Sequence, residues 1–157
     1  MSAPAPRLVT AEELAQLPDD ALRYDLLYGR LVTMAPAGGR HGELAMDIGA
    51  RVWNHVRRHH TGRVFGAETG FRLARDPDVV LGPDVAFVRA DRLPPPDQRE
   101  RFLELAPDLA VEIVSPTDRP ADVRAKVQAY LRHGVQLLWV VAPGRQQVTV
   151  AELFASS

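Results

Sequence analysis

Two acidic residues sit in apolar runs where a carboxylate needs a reason to be. Glu112 lies inside Leu109-Ala-Val-Glu-Ile-Val114, and all its near neighbours are apolar. Read as a strand, this run puts Ala110, Glu112 and Val114 on one face and Leu109, Val111 and Ile113 on the other. With helices over both faces, a carboxylate there costs roughly several kcal/mol unless it is paired or holds a metal ion. The alternative is an edge strand that turns Glu112 to water. Asp84 opens a second apolar run, Gly82-Pro-Asp-Val-Ala-Phe-Val88, and shares a face with Ala86 and Val88. Pro-Asp is by itself ordinary turn chemistry. Its pairing with Glu112 gives it more weight. Two carboxylates on neighbouring strands can share one divalent cation, and an all-oxygen donor set suits magnesium or manganese.

A cationic partner is also legible. The basic residues comprise eighteen arginines and a single lysine, Lys126. It flanks an apolar helical stripe of Val123, Val127, Tyr130 and Leu131. Its stem can lie along the core while the ammonium reaches the sheet. An exposed i,i+4 pair with Asp122, worth roughly 0.2–0.5 kcal/mol, is the plainer reading. His41 lies seven residues before Ile48, so it falls on the core face in the first turn of its helix. The positive helix end favours a neutral imidazole, suited to accept a proton or contact phosphate. A histidine packed in the core with its hydrogen bonds satisfied fits the same position.

These residues need elements to hold them. Thr10-Ala-Glu-Glu13 is a capping box that opens a first helix through Leu14 and Leu17. Residues 24–34 read as two short strands around Tyr28-Gly29. Leu44, Ala45, Ile48, Val52 and Val56 recur at helical spacing over 41–60, with Gly62 as the stop. Strands are expected over 64–73, 83–89, 109–114, 137–142 and 147–153. The run Leu-Leu-Trp-Val-Val-Ala at 137–142 does not alternate, which suits a central strand covered on both faces. A helix over 120–133 starts near Pro120 and ends at Gly134. Leu93-Pro-Pro-Pro-Asp97 reads as a rigid loop within the domain. The expected architecture is α/β, a mixed β-sheet flanked by α-helices.

Length and composition set the outer bounds. With 157 residues the chain is about one domain. We expect a flexible N-terminus at 1–9 and a single domain at 10–157. The net charge of −1 argues against gripping nucleic acid through bulk charge, though not against a local basic patch. The absence of cysteine excludes disulfides, thiolate metal sites and a cysteine nucleophile. The N-terminal stretch has no apolar core of a signal peptide, and no apolar run nears the roughly 20 residues that span a bilayer. A cytoplasmic protein is expected. Other signals carry less. His55 and His59 have metal-compatible spacing, with His60 following, but no acid completes a motif. Arg51, Arg57, Arg58 and Arg63 could meet phosphates. Gly38-Gly39 lacks the Gly-Lys-Ser/Thr of a phosphate loop, and Ser115 lacks a nucleophile-elbow context.

Pro83-Asp84 followed by Glu112 resembles the PD-(D/E)XK nuclease superfamily. More closely, the chain resembles the Uma2 family of restriction-endonuclease-like proteins. The resemblance runs through Arg23-Tyr-Asp-Leu-Leu-Tyr-Gly-Arg-Leu-Val32, Arg40-His41 and Pro83-Asp-Val-Ala-Phe-Val88. It continues through Pro107-Asp-Leu-Ala-Val-Glu-Ile-Val-Ser-Pro116 to Lys126, Tyr130 and Gly134-Val135. It implies a restriction-endonuclease-like fold with Asp84, Glu112 and the backbone carbonyl of Ile113 as ligands of Mg²⁺ or Mn²⁺. The superfamily lysine two residues after the glutamate is Val114 here, and the resemblance hands its role to Lys126. A compact ammonium suits a place beside metal-bound water better than a broad guanidinium. Asp25 stands where the family more often has glutamate, and His41 is a further site candidate. The passage from Gln147-Val-Thr-Val150 to Ala151-Glu-Leu-Phe154 is shorter than the family pattern.

Two functions follow as expectations. The first is a metal-dependent endonuclease hydrolysing DNA phosphodiester bonds, with Asp84, Glu112, Lys126, His41 and Asp25 in the site and a homodimer as a natural assembly. The second is a catalytically inactive nuclease-fold module acting in nucleic-acid or protein binding. Convergence of Asp84, Glu112 and Lys126 within a few ångströms around an open cleft favours the first, and a closed, apolar junction favours the second.

Overall fold

Local signals set the first elements. In the computed structural model, which describes residues 2–18 and 22–152, Thr10 caps helix α1 (Ala11–Ala15). Its Oγ1 accepts from the Glu13 N–H at 3.2 Å, and its own N–H donates to Glu13 Oε2 at 2.9 Å. Strands β1 (Arg23–Leu27) and β2 (Arg30–Met34) form a hairpin. Tyr28 and Gly29 turn it with φ of 51° and 78°. Two consecutive left-handed residues are what a tight hairpin turn matching the strand twist requires. The Val9 N–H donates to the carbonyl of Gly29 at 2.8 Å, which ties the entering chain to this turn.

Helix α2 spans Gly39–His59 and lays Leu44, Ala45, Ile48 and Val52 on the core. Its stop differs from the expected Gly62. His60 adopts the left-handed conformation at φ 51° and caps the helix, so Gly62 is already the first residue of strand β3 (Gly62–Phe65). The strand expected over 64–73 is in fact two. It breaks after Phe65, and Phe71–Ala74 forms β4 in a different sheet. Between β4 and the next expected strand lies β5 (Val79–Leu81), fully buried and too short to show any periodicity. Then follow β6 (Val85–Arg89), β7 (Leu109–Ile113), helix α3 (Pro120–Arg132), β8 (Leu137–Ala142) and β9 (Gln147–Glu152). The expected end of the last strand, Leu153, lies outside the described residues. Gly134, at φ 97°, ends α3 as expected.

The strands form two sheets rather than one. The smaller has the order β2-β1-β5-β4, and the larger β3-β6-β7-β8-β9. In the larger sheet β7 and β8 run parallel and are joined through α3, while the other pairings are antiparallel. Alternation along β7 divides the core in two. Val111 and Ile113 pack with Val85 and Val141 beneath α2. Ala110 packs on the opposite side with Val79 and Leu81 of the small sheet and Ala129 and Tyr130 of α3. The larger sheet is therefore flanked by α2 on one face and by α3 with the small sheet on the other. This is a mixed α/β, restriction-endonuclease-like architecture. Among the described residues no helix is long and apolar enough to cross a membrane.

Candidate functional site

The segment Gly82-Pro83-Asp84 is where the chain leaves the small sheet after β5 and enters the large one at β6. It therefore lies on the seam between them. The β6–β7 register pairs Val85 with Val111 and Ala86 with Ala110. Continued by one residue, it sets Asp84 opposite Glu112. Residues directly opposite in antiparallel strands share a face. Glu112 is in a central strand, with β6 on one side and β8 on the other, so the water-facing edge alternative falls away. Its face is the one shared with α3 and the small sheet, and both send side chains to meet it.

From α3, Lys126 Nζ lies 3.2 Å from Glu112 Oε2 and 2.9 Å from Asp25 Oδ2. This placement supersedes the plain pairing with Asp122. One turn later the Tyr130 hydroxyl donates to Glu112 Oε1 at 2.5 Å. From β1 of the small sheet, Asp25 is 1% exposed, and its Oδ1 accepts from the Gly82 N–H at 2.9 Å. Asp84 Oδ2 accepts from the Ile113 N–H at 2.7 Å, and its Oδ1 lies 3.3 Å from His41 Nε2 in the first turn of α2. Five residues singled out from the sequence, Asp25, His41, Asp84, Glu112 and Lys126, thus converge from five separate segments. Ile113 joins through its amide.

Burial decides the electrostatics. Removal from water pushes the Glu112 carboxyl up to about 7, against the pull of Lys126, and the nearby Asp84 and Asp25 push the same way as burial. For Lys126, burial works to lower the ammonium, but Glu112 and Asp25 outweigh it and hold it above its ordinary range. Burial and the adjacent Glu112 raise the Tyr130 phenol well above its usual value, so it stays a donor. Asp25 Oδ2 has a charged neighbour in Lys126 but no aligned hydrogen-bond donor.

Tyr130 and Gly82 are the participants that sequence reasoning did not assign to the site. Tyr130 was placed in the apolar stripe of α3. Its position four residues after Lys126, on the same helix face, was the available signal. Gly82 acts through its backbone, which no side-chain pattern reports. The discounted histidines stay apart: the His55 and His59 rings lie 4.5 Å from one another at the far end of α2.

The chemistry of the donor set suits a hard divalent cation, since Asp25, Asp84 and Glu112 offer only oxygens. In the geometry described, the positive charge between Asp25 and Glu112 is the ammonium of Lys126. Among the described residues no three acidic or histidine side chains are grouped as a metal site.

The comparisons with known proteins agree with this fold. A family model described as "Uma2: Putative restriction endonuclease" matches residues 11–154. No curated protein matches the sequence. Among solved structures, a protein from Anabaena variabilis described as a "putative nuclease belonging to DUF820" superposes with a TM-score of 0.80 at 23% identity. The match covers 92% of this chain and 79% of that one.

Proposed function

This chain belongs to the Uma2 family of restriction-endonuclease-like proteins, and from that membership we propose a nuclease-fold module that binds nucleic acid or protein with its acidic centre closed. One observation carries this reading. Four of the six carboxylate oxygens of Asp25, Asp84 and Glu112 already accept a hydrogen bond from the chain itself, and the other two lie against Lys126 and His41. A centre built for hydrolysis has to offer oxygens to a metal and a path to a phosphate. Here Asp25 and Asp84 are buried, and Lys126 supplies the charge that the carboxylates need. Folds carry over between active and inactive proteins without guaranteeing chemistry.

A second reading, a metal-dependent endonuclease acting on DNA, is favoured by a different observation. Three carboxylates crowd one ammonium, and the Glu112 carboxyl is pushed up to about 7, by burial first and then by the neighbouring Asp84 and Asp25. A divalent cation would relieve that excess. On this reading Asp84, Glu112 and the Ile113 carbonyl hold Mg²⁺ or Mn²⁺, which when bound activates water and offsets charge on the phosphate. Lys126 then orients that water, Asp25 steadies Lys126, and His41 takes a proton or contacts the phosphate. A homodimer would present two such centres to two strands.

Calorimetric titration of Mn²⁺ into the wild type and Glu112→Ala, with supercoiled DNA incubated in parallel, separates the readings. The closed module gives no metal-binding heat and leaves the DNA intact. Binding that disappears in Glu112→Ala, together with metal-dependent nicking by the wild type, replaces it with the endonuclease.

A further inference from the structure

Between Asp47 and Glu68 the chain contains no acidic residue, but four arginines, Arg51, Arg57, Arg58 and Arg63, and three histidines. This is a sharp local excess in a protein of net charge −1. The fold gathers it at one place, where α2 ends at the left-handed His60 and β3 begins. A groove there is lined by Trp53, Val56, Arg57, His60, Arg63 and Val64. The helix dipole accounts for cations in the last turn of α2. It does not account for Arg63 on the strand, nor for Trp53, which is 47% exposed.

The cations are also largely unspent. Arg51 pairs with Asp47, but among the described residues Arg57, Arg58 and Arg63 have no acidic partner. The Arg57 guanidinium instead lies over the Trp53 ring, 4.9 Å from its centroid. An exposed aromatic with a stacked guanidinium offers a π surface and a phosphate contact side by side. An unstacked base with its flanking phosphates matches both, whereas a duplex keeps its bases stacked inside. An acidic peptide matches only the charges.

We propose that this groove binds single-stranded nucleic acid, with a base stacked on Trp53 and neighbouring phosphates on Arg57 and Arg63. The proposal rests on the nucleic-acid side of the binding-module reading and gives it a surface. Trp53 and Arg57 follow His41 by twelve and sixteen positions of one helix, or about 18 and 24 Å at the usual helical rise. Substitutions in the groove therefore leave the acidic centre untouched.

The test is fluorescence anisotropy at low salt with a labelled oligothymidylate of about 12 nucleotides. Trp53→Ala should weaken binding about 5- to 150-fold, the span of one lost stacking contact, and Trp53→Phe should restore most of it. Arg57→Ala with Arg63→Ala should reduce the slope of log affinity against log salt by about 1.4. A duplex of equal length should bind more weakly. Binding that ignores the groove variants overturns the groove while leaving nucleic-acid binding standing. Equal affinity for polyglutamate, or for duplex with no effect of Trp53→Ala, also overturns it. If the wild type binds no nucleic acid at all, the groove and the nucleic-acid side of the module reading fall together.

Discussion

Glu112 and Lys126 make the centre sensitive to pH in a direction that can be worked out. The Glu112 carboxyl titrates at about 7 in the folded chain, against an ordinary value of 4.5. Between these values the folded chain holds a proton that the unfolded chain has released. Stability from this group is therefore present at low pH and declines as pH rises through the window, by linkage. Urea unfolding followed from about pH 5 to about pH 8 should show that decline, and Glu112→Gln should remove its part of it. Lys126→Ala strips the only ammonium from two buried carboxylates. Breaking a buried ion pair from one side costs about 3–5 kcal/mol. The loss should be largest above pH 7, where Glu112 is ionised, and smaller in acid, where it takes up a proton. A pH-independent loss would place the role of Lys126 in packing rather than in charge.

At the scale of elements, the junction of α2 with β3 shows how a glycine can mislead. Gly62 reads as a helix stop, but the helix has ended at His60, and Gly62 pairs with Arg89 across the β3–β6 ladder. A Cβ there would lie 2.0 Å from the Val88 carbonyl oxygen and 2.8 Å from the Phe87 ring. Backbone cannot give way as a flexible side chain does. Gly62→Ala should push β3 away from β6 and lower stability by about 1–3 kcal/mol, measurable as an earlier urea midpoint. Wild-type stability in this variant would mean that β3 can part from β6 at little cost. The hairpin of β1 and β2 is the opposite case. Its two-residue turn and the short strands on either side of it are local properties, and the sequence alone places them. The break between β3 and β4 was signalled by Gly66-Ala-Glu-Thr-Gly70 inside the expected strand, but which sheet each half joins is not a local property.

The whole molecule places Asp25, Asp84, Glu112 and Lys126 on the seam between two sheets, and its stability should be graded around that seam. β7 lies at the middle of the larger sheet, with β6 and β8 on either side, and its apolar residues are buried on both faces. β9 is an edge strand with Val148 and Val150 exposed. Native-state amide exchange should be slowest in β6, β7 and β8, and fast in β9. Protection of β9 equal to that of β7 would show that another surface covers this edge in solution. The sequence by itself determined the capped first helix, the hairpin, both long helices, the runs that became the main strands, and the acids and lysine that needed partners. Those are consequences of spacing, capping and the cost of an apolar setting for a charge, all local. Tertiary structure decided the rest: that the strands divide between two sheets, that β5 joins β1 to β4 within the smaller one, and that Gly82 and Tyr130 complete the hydrogen bonding. It decided too that Lys126 reaches Asp25 and Glu112 together. Asp25 and Lys126 lie a hundred residues apart, and only the packing of α3 and the small sheet on one face of β7 brings them into contact.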